Sequence, residues 1–172
     1  DRLAEWLLAT RRDGETGSEW PMFITDDPDA PLSGYGDPSW CYGTSGISWA
    51  LKLAAEIRGR DDWEGLAESA LDAAVAAADR LPDTGLCHGL AGLAHILWRF
   101  DPQRYAGAID DIVDRILEAY SPEAPFGFTF HGDGGRIDHP GFIDGAAGVA
   151  LALHRYARDA EPKVGWDSLM ML

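Results

Sequence analysis

Both cysteines of the chain stand at the same position of a short repeated motif, and one histidine directly follows the second cysteine. Cys41 lies two residues before Gly43, Cys87 lies two residues before Gly89, and His88 separates Cys87 from that glycine. If the motifs stack side by side, equivalent positions converge at one edge, and two thiolates with an imidazole are a ligand set for zinc. Three protein ligands leave a fourth position open, as in catalytic zinc sites. Two other interpretations stay open here: a pair of small buried residues or a disulfide.

The motif has the form G-x-x-G followed by apolar residues, and it occurs three times along the chain. The three occurrences span residues 43–46, 89–92 and 145–148. Repeats of this length suit helical hairpins that stack side by side. Each motif predicts the start of a helix that is apolar on most sides, as expected of an inner layer.

Amphipathic patterns separate the motifs and predict the outer helices. Residues 61–81 and 102–120 both carry apolar side chains at helical spacing. Asp101 is expected to cap the second of these helices, with Pro102 in its first turn. The stretches 13–39 and 122–140 are rich in Gly, Pro and polar residues and predict loops. The whole pattern predicts an all-α fold of helical hairpins in one domain.

The composition excludes several classes of partner. The chain has 172 residues, 46% of them apolar, and a formal net charge of −15. Such an acid excess repels phosphate backbones, so we expect no nucleic-acid partner. No apolar run is long enough for a membrane span, and residues 1–6 lack the features of a signal peptide. With two cysteines the chain is not a disulfide scaffold, and a cytoplasmic location is expected.

The motifs together resemble the lanthionine synthetase C-like family. The resemblance depends on three segments in order: residues 40–43 with Gly46, residues 87–89 with Gly92, and residues 145–148. It implies an α/α toroid with seven inner and seven outer helices, of which this chain would supply about half. Residues 1–172 would then be the C-terminal part of a lanthionine synthetase C-like cyclase domain.

The resemblance also implies an activity and a site. It implies thioether formation, in which a peptide cysteine adds to dehydroalanine or dehydrobutyrine, with Zn²⁺ held by Cys41, Cys87 and His88. Tyr42 matches a position near the metal, where it would donate a proton, orient substrate or merely pack. The implied partner is a dehydrated precursor peptide, made by kinase and lyase domains of the same synthetase or by a separate dehydratase. Two alternatives stay open: a non-catalytic peptide-binding toroid with a structural zinc, and a relative that adds glutathione to dehydroamino acids.

Some positions depart from the family pattern or have no assigned role. Asp37 stands where relatives often carry Arg, and Ser45 stands where Pro is usual. The family's acid/base His and its partner Asp belong to earlier repeats, so the chain by itself is expected to be a poor catalyst. His131 and His139 match no motif. Asp144 is expected to cap the following helix, with orientation of a metal ligand as the alternative. His95 and His154 are expected to pack or cap within the inner helices.

Overall fold

A computed structural model describes residues 2–27, 29–30, 32–132, 134–160 and 162–172 of the chain. The chain divides into two compact units, Asp1–Leu81 and Pro82–Leu172. Helices dominate both units, which confirms the predicted all-α fold. In the described part of the chain, no helix combines the length and the apolarity that crossing a bilayer requires.

The first unit is built around a helical hairpin. Its elements are α1 (Arg2–Thr10), β1 (Arg12–Asp13), β2 (Ser18–Glu19), α2 (Thr44–Arg58), α3 (Asp61–Ala76) and a 3₁₀ turn at Ala78–Arg80. The two short strands pair antiparallel, and α2 packs along α3. Acidic residues fill the first turn of α3, where they complement the positive end of the helix dipole.

Small side chains allow α2 and α3 to pack closely. Ala67, Ala70 and Leu71 of α3 are completely buried, and Leu51 of α2 is 1% exposed. The buried hydroxyl of Ser48 donates a 2.7 Å hydrogen bond to the carbonyl of Ala67. A side-chain donor satisfied by the facing backbone is stable in an apolar interior, because an unpaired one would cost its full desolvation energy. This packing fixes the helix whose start carries the first motif.

The second unit places α4 against two other helices. Its elements are α4 (Leu90–Phe100), α5 (Ala106–Glu118), β3 (Phe130–Gly132), β4 (Gly135–Ile137), α6 (Ala146–Arg158) and a 3₁₀ helix at Trp166–Met170. Helix α4 packs against both α5 and α6. It is buried along almost its whole length, whereas α5 buries a single stripe of Ile109, Ile112, Val113 and Ile116. The two burial patterns match the predicted difference between the G-x-x-G helices and the intervening ones.

Two expectations about local structure are corrected. The predicted loops contain two short antiparallel hairpins, β1–β2 and β3–β4. Helix α5 begins at Ala106, not at Pro102. Asp101 Oδ1 instead accepts hydrogen bonds from the backbone N–H groups of Gln103 (3.0 Å) and Arg104 (2.9 Å). The Asp101 side chain therefore closes a separate turn before the helix, as Asp does in an Asx turn.

Candidate metal centre

The three G-x-x-G motifs are the starts of three helices. The first glycine of each motif is the N-cap residue: Gly43 for α2, Gly89 for α4 and Gly145 for α6. All three caps have extended backbone and no side-chain cap hydrogen bond. The residue types before each cap are therefore available for chemistry rather than for capping.

The second glycine of each motif is required by a close backbone approach. A Cβ at Gly46, Gly92 or Gly148 would overlap the carbonyl oxygen of the residue six positions earlier, which is Trp40, Leu86 and Phe142 respectively. A carbonyl in that place cannot shift without moving the loop, so any side chain is excluded. The same steric constraint thus shapes all three loops.

The loops before the helices also share their hydrogen bonds. The first helical N–H of each motif donates to the carbonyl seven residues earlier: Thr44 to Asp37 (2.7 Å), Leu90 to Asp83 (3.0 Å) and Ala146 to His139 (2.8 Å). The side chain of that earlier residue also accepts a hydrogen bond from the backbone N–H of the residue two positions later. The donors are Ser39 to Asp37 (2.8 Å), Gly85 to Asp83 (2.9 Å) and Gly141 to His139 (3.1 Å). The first bond satisfies a backbone N–H that a helix start leaves open, and the second satisfies an N–H within the loop.

These bonds explain two residues whose place in the pattern was unassigned. Asp37, which stands where relatives often carry Arg, supports the turn of its loop through its carboxylate. His139 occupies the equivalent position of the third loop and uses Nδ1 for the same purpose. His131 lies in β3 with an exposed side chain. None of the three is part of the cysteine–histidine group.

Cys41 and Cys87 occupy equivalent positions of the first and second loops, and His88 directly follows Cys87. Two cysteines and one histidine are a donor set that could hold a metal ion. Neither cysteine forms a disulfide, and Cys41 is exposed while Cys87 is half-buried. The interpretation of both cysteines as buried core residues is therefore wrong for Cys41, and the disulfide interpretation has no support.

The donor set fits a soft or borderline divalent metal. Thiolate sulfur and imidazole nitrogen are the ligands that zinc and similar metals prefer in proteins. Two cysteines and one histidine could bind such a metal and leave coordination positions for another ligand. The partial exposure of Cys41 and His88 would give that ligand access from solvent.

Tyr42 lies between the first cysteine and its helix cap. It occupies the position of His88 in the second loop and of Asp144 in the third. Its side chain is 45% exposed. Tyr42 is therefore accessible from solvent directly beside Cys41.

The third loop provides a carboxylate next to His88. Because Gly145 is the N-cap of α6, the expected capping role of Asp144 is wrong. Asp144 Oδ1 instead lies 3.8 Å from Nδ1 of His88. The carbonyl of Ile143 accepts hydrogen bonds from the backbone N–H groups of both Leu86 and Cys87, each 3.0 Å long. These two bonds hold the loop that carries Cys87 and His88 against the loop that carries Asp144.

The expected packing role of His95, which lies further along α4, is confirmed. Its Nε2 lies 3.2 Å from Oδ2 of Asp167, and its ring packs on Trp166 at a centroid distance of 4.6 Å. Burial, which disfavours the charged imidazolium, lowers the pKa of His95 to about 4, and the carboxylate of Asp167 offsets only part of that effect. The neutral side chain of His95 thus packs α4 against the C-terminal 3₁₀ helix. His154 of α6 is exposed.

The fold defines a helical-hairpin protein whose first and second motif loops carry two cysteines and a histidine. The model of the lanthionine synthetase C-like protein family matches residues 2–171, so the chain belongs to this family. Among solved structures, the chain is similar to nisin cyclase, with a TM-score of 0.59 and 21% sequence identity. The match covers 87% of this chain and 33% of the nisin cyclase chain, so this chain spans about a third of that protein. A comparison with curated proteins finds no significant match.

Proposed function

We propose that this chain carries the zinc centre of a lanthipeptide cyclase. In this proposal Cys41, Cys87 and His88 hold Zn²⁺, and the enzyme joins a peptide cysteine to a dehydroalanine or dehydrobutyrine through a thioether. The observation that carries the proposal is that Cys41 and the pair Cys87–His88 precede the capping glycines of two loops with the same backbone hydrogen bonds. Family membership and the fold shared with nisin cyclase support it.

A bound zinc would supply an open coordination position at which a thiol loses its proton and becomes a nucleophile at neutral pH. The chain's own ligands set how reactive that sulfur is. Cys41 and Cys87 contribute two negative charges, which balance the charge of the metal, while His88 adds none. The metal with these ligands would carry no net charge, so it would withdraw little electron density from an added thiolate, which would keep its nucleophilic character.

The addition itself needs a proton as well as a nucleophile. The thiolate sulfur bonds to the β-carbon of the dehydroamino acid, and the electron pair of the double bond moves to the α-carbon and its carbonyl. A proton delivered to the α-carbon completes the addition of S–H across the double bond. We assign Tyr42 as a proton donor or substrate-orienting residue, because its exposed hydroxyl-bearing side chain directly follows Cys41.

The number of protein ligands favours catalysis over a purely structural metal. The proposed ligand group has three side chains, those of Cys41, Cys87 and His88. Structural zinc sites close with four protein ligands, whereas catalytic ones keep a position for water or substrate. An open position has a use only if an exchangeable ligand occupies it, and a peptide thiol is the ligand proposed here.

The proposed substrate is a dehydrated precursor peptide. A kinase and lyase of the same synthetase, or a separate dehydratase, would make it by removing water from Ser and Thr. Residues 1–172 are proposed to be the C-terminal, metal-bearing part of the cyclase domain. Since the family's acid/base residues belong to earlier repeats, we expect efficient catalysis only in a longer protein that contains this chain.

The decisive assay uses such a protein with a dehydrated precursor peptide. Cyclisation removes peptide thiols without changing peptide mass, so alkylation of the remaining thiols followed by mass spectrometry measures it. We expect turnover by wild type and by the matched control His154→Ala, and none by Cys87→Ala. Glutathione adducts without ring formation would contradict the cyclase proposal and favour the glutathione-adding alternative. A peptide that binds but never loses its thiols would contradict it in favour of a binding module.

A further inference from the structure

We propose that Asp144 is the positioning residue for His88. Its carboxylate would accept the Nδ1 proton of the imidazole and so direct Nε2 toward the metal. This inference rests on the proposed zinc centre, and it concerns a residue outside the three-ligand group. It also gives a function to the third G-x-x-G loop, which lacks a cysteine, and it selects the second of the two roles that the sequence left open for Asp144.

The distance and the chemistry both select Nδ1 as the partner of Asp144. Asp144 Oδ1 and His88 Nδ1 are 3.8 Å apart, within ion-pair range and slightly beyond a direct hydrogen bond. His88 is 32% exposed and Asp144 is 51% exposed, so both side chains have room to adjust toward each other. A small movement of either side chain gives hydrogen-bond contact.

Backbone hydrogen bonds keep the two residues adjacent. Ile143, the neighbour of Asp144, accepts the N–H groups of Leu86 and Cys87 on its carbonyl oxygen. Leu86 is fully buried, and its side chain packs where a Cβ at Gly148 would otherwise lie. The second and third loops are thereby fixed at their buried ends, which leaves His88 and Asp144 facing each other at the exposed ends.

The alternative role for Asp144 is not available in this geometry. Asp is a favoured N-cap residue, but Gly145 occupies the N-cap of α6 with no side-chain hydrogen bond. In the second loop the same position carries His88 itself. The same position of the motif therefore supplies the proposed metal ligand His88 in the second loop and the residue that orients it, Asp144, in the third loop.

A carboxylate on the distal nitrogen of a metal-binding histidine has two effects. It fixes the tautomer with the proton on Nδ1, so that Nε2 presents its lone pair to the metal. It also holds the ring in one orientation, which lowers the entropy lost on binding. Because both side chains are partly exposed, solvent screens their charges, and orientation is expected to contribute more than ion-pair energy.

The test compares Asp144→Ala and Asp144→Asn with the matched control Asp111→Ala on the exposed face of α5. Zinc affinity is measured by competition with a chromophoric chelator. Loss of an orienting partner typically weakens metal binding about 10- to 100-fold, and that is the loss expected for Asp144→Ala. Asp144→Asn keeps an acceptor oxygen and should lose less, while Asp111→Ala should match wild type.

A second measurement needs no metal. Nitrogen-15 shifts of the His88 ring, recorded on the zinc-free chain with the ring neutral, report which nitrogen carries the proton. Wild type should show the Nδ1–H tautomer, and Asp144→Ala should revert to the Nε2–H form usual for a solvated histidine. Circular dichroism and thermal unfolding of each variant identify any that fail to fold, in which case Asp144→Asn carries the comparison.

The outcomes separate this inference from the zinc proposal. If wild type binds zinc but Asp144→Ala binds it equally tightly and leaves the tautomer unchanged, the positioning role is wrong and the zinc centre stands. If wild type binds no zinc, the zinc proposal fails. The tautomer of His88 then still decides whether Asp144 orients the ring, since an Nε2–H ring in wild type overturns that role.

Discussion

Cys41 and Cys87 each lie two residues before a helix-capping glycine, Gly43 and Gly89 respectively. Two cysteines that are distant in sequence thus occupy the same position of two loops with the same conformation. Glycine and backbone hydrogen bonds fix the conformation of each loop, and neither cysteine forms a disulfide.

Replacement of Gly92 should unfold the second loop. In Gly92→Ala the new methyl group meets the carbonyl oxygen of Leu86, and relief of that overlap requires the loop before α4 to move. We expect a loss of at least about 2 kcal/mol in the free energy of unfolding, in the range of overpacked sites. Urea titration followed by circular dichroism measures it.

Gly65→Ala is the matched control for that substitution. Gly65 lies inside α3, and a methyl group added there would have nothing within 4 Å, so the change should stabilise the chain by about 0.5–1 kcal/mol through helix propensity. Equal stabilities for Gly92→Ala and wild type would show that the loop does not need its glycine.

The burial of His95 predicts a pH dependence of stability. The pKa of His95 is about 4 in the folded chain and near 6.5 in the unfolded chain, so the unfolded state binds more protons between these values. Stability should therefore be fully present above pH 6.5 and decline as the pH falls toward 4. The shift corresponds to about 3 kcal/mol over that window.

The variant His95→Gln isolates this contribution from carboxylates that titrate nearby. Denaturant unfolding of both proteins at pH 7.5, 6, 5 and 4.5 gives the difference. The wild type should lose stability more steeply than His95→Gln as the pH falls. Parallel pH profiles would mean that His95 titrates normally and is not held neutral by the core.

Tyr42→Phe should separate catalysis from metal binding. Removal of the hydroxyl takes away the proposed proton donor but none of the three ligands, so zinc content should be unchanged. In a longer protein with full activity, we expect the cyclisation rate to fall by roughly 10²-fold or more, the usual contribution of a general acid. Alkylation assays of a dehydrated peptide measure the rate.

An unchanged rate in Tyr42→Phe would assign the ring to packing beside the site. A parallel loss of zinc and rate would instead mean that Tyr42 supports the ligands. Tyr35→Phe, a change of the same type in the loop before the first motif, is the control for loss of a tyrosine hydroxyl.

The register of the candidate ligands could be predicted because the sequence displays it. The G-x-x-G spacing places Cys41 and Cys87 at equivalent positions, with His88 directly after Cys87, while the metal centre itself stays a prediction. The buried character of α4 and the single stripe of α5 were equally readable from apolar periodicity. These features depend on patterns of residue type, which the sequence displays directly.

Other features could not be predicted because different residue types share one role. One side chain in each loop accepts a hydrogen bond from the backbone N–H two residues later, and these side chains belong to Asp37, Asp83 and His139. An aspartate and a histidine do not look equivalent in a sequence. A usable signal would have been an acceptor side chain six residues before each capping glycine. The position of Asp144 opposite His88 depends on how two loops bond to each other, which no local pattern encodes.

The start of α5 was misplaced for a related reason. Asp101 and Pro102 are typical of a helix start, but the Asp101 carboxylate closes a turn with Gln103 and Arg104 before the helix begins. Local propensity could not distinguish these two uses of the same residues, since both satisfy backbone N–H groups with one side chain.

The zinc content of the purified chain tests the central claim most directly. Elemental analysis of wild type, Cys41→Ala, Cys87→Ala and His88→Ala is compared with His154→Ala as the control for loss of an exposed histidine. The account predicts about one zinc per chain in wild type and His154→Ala, and a loss of zinc in the three ligand variants. A wild-type chain that takes up no zinc with both thiols reduced, or ligand variants that keep it, would contradict the proposed metal centre.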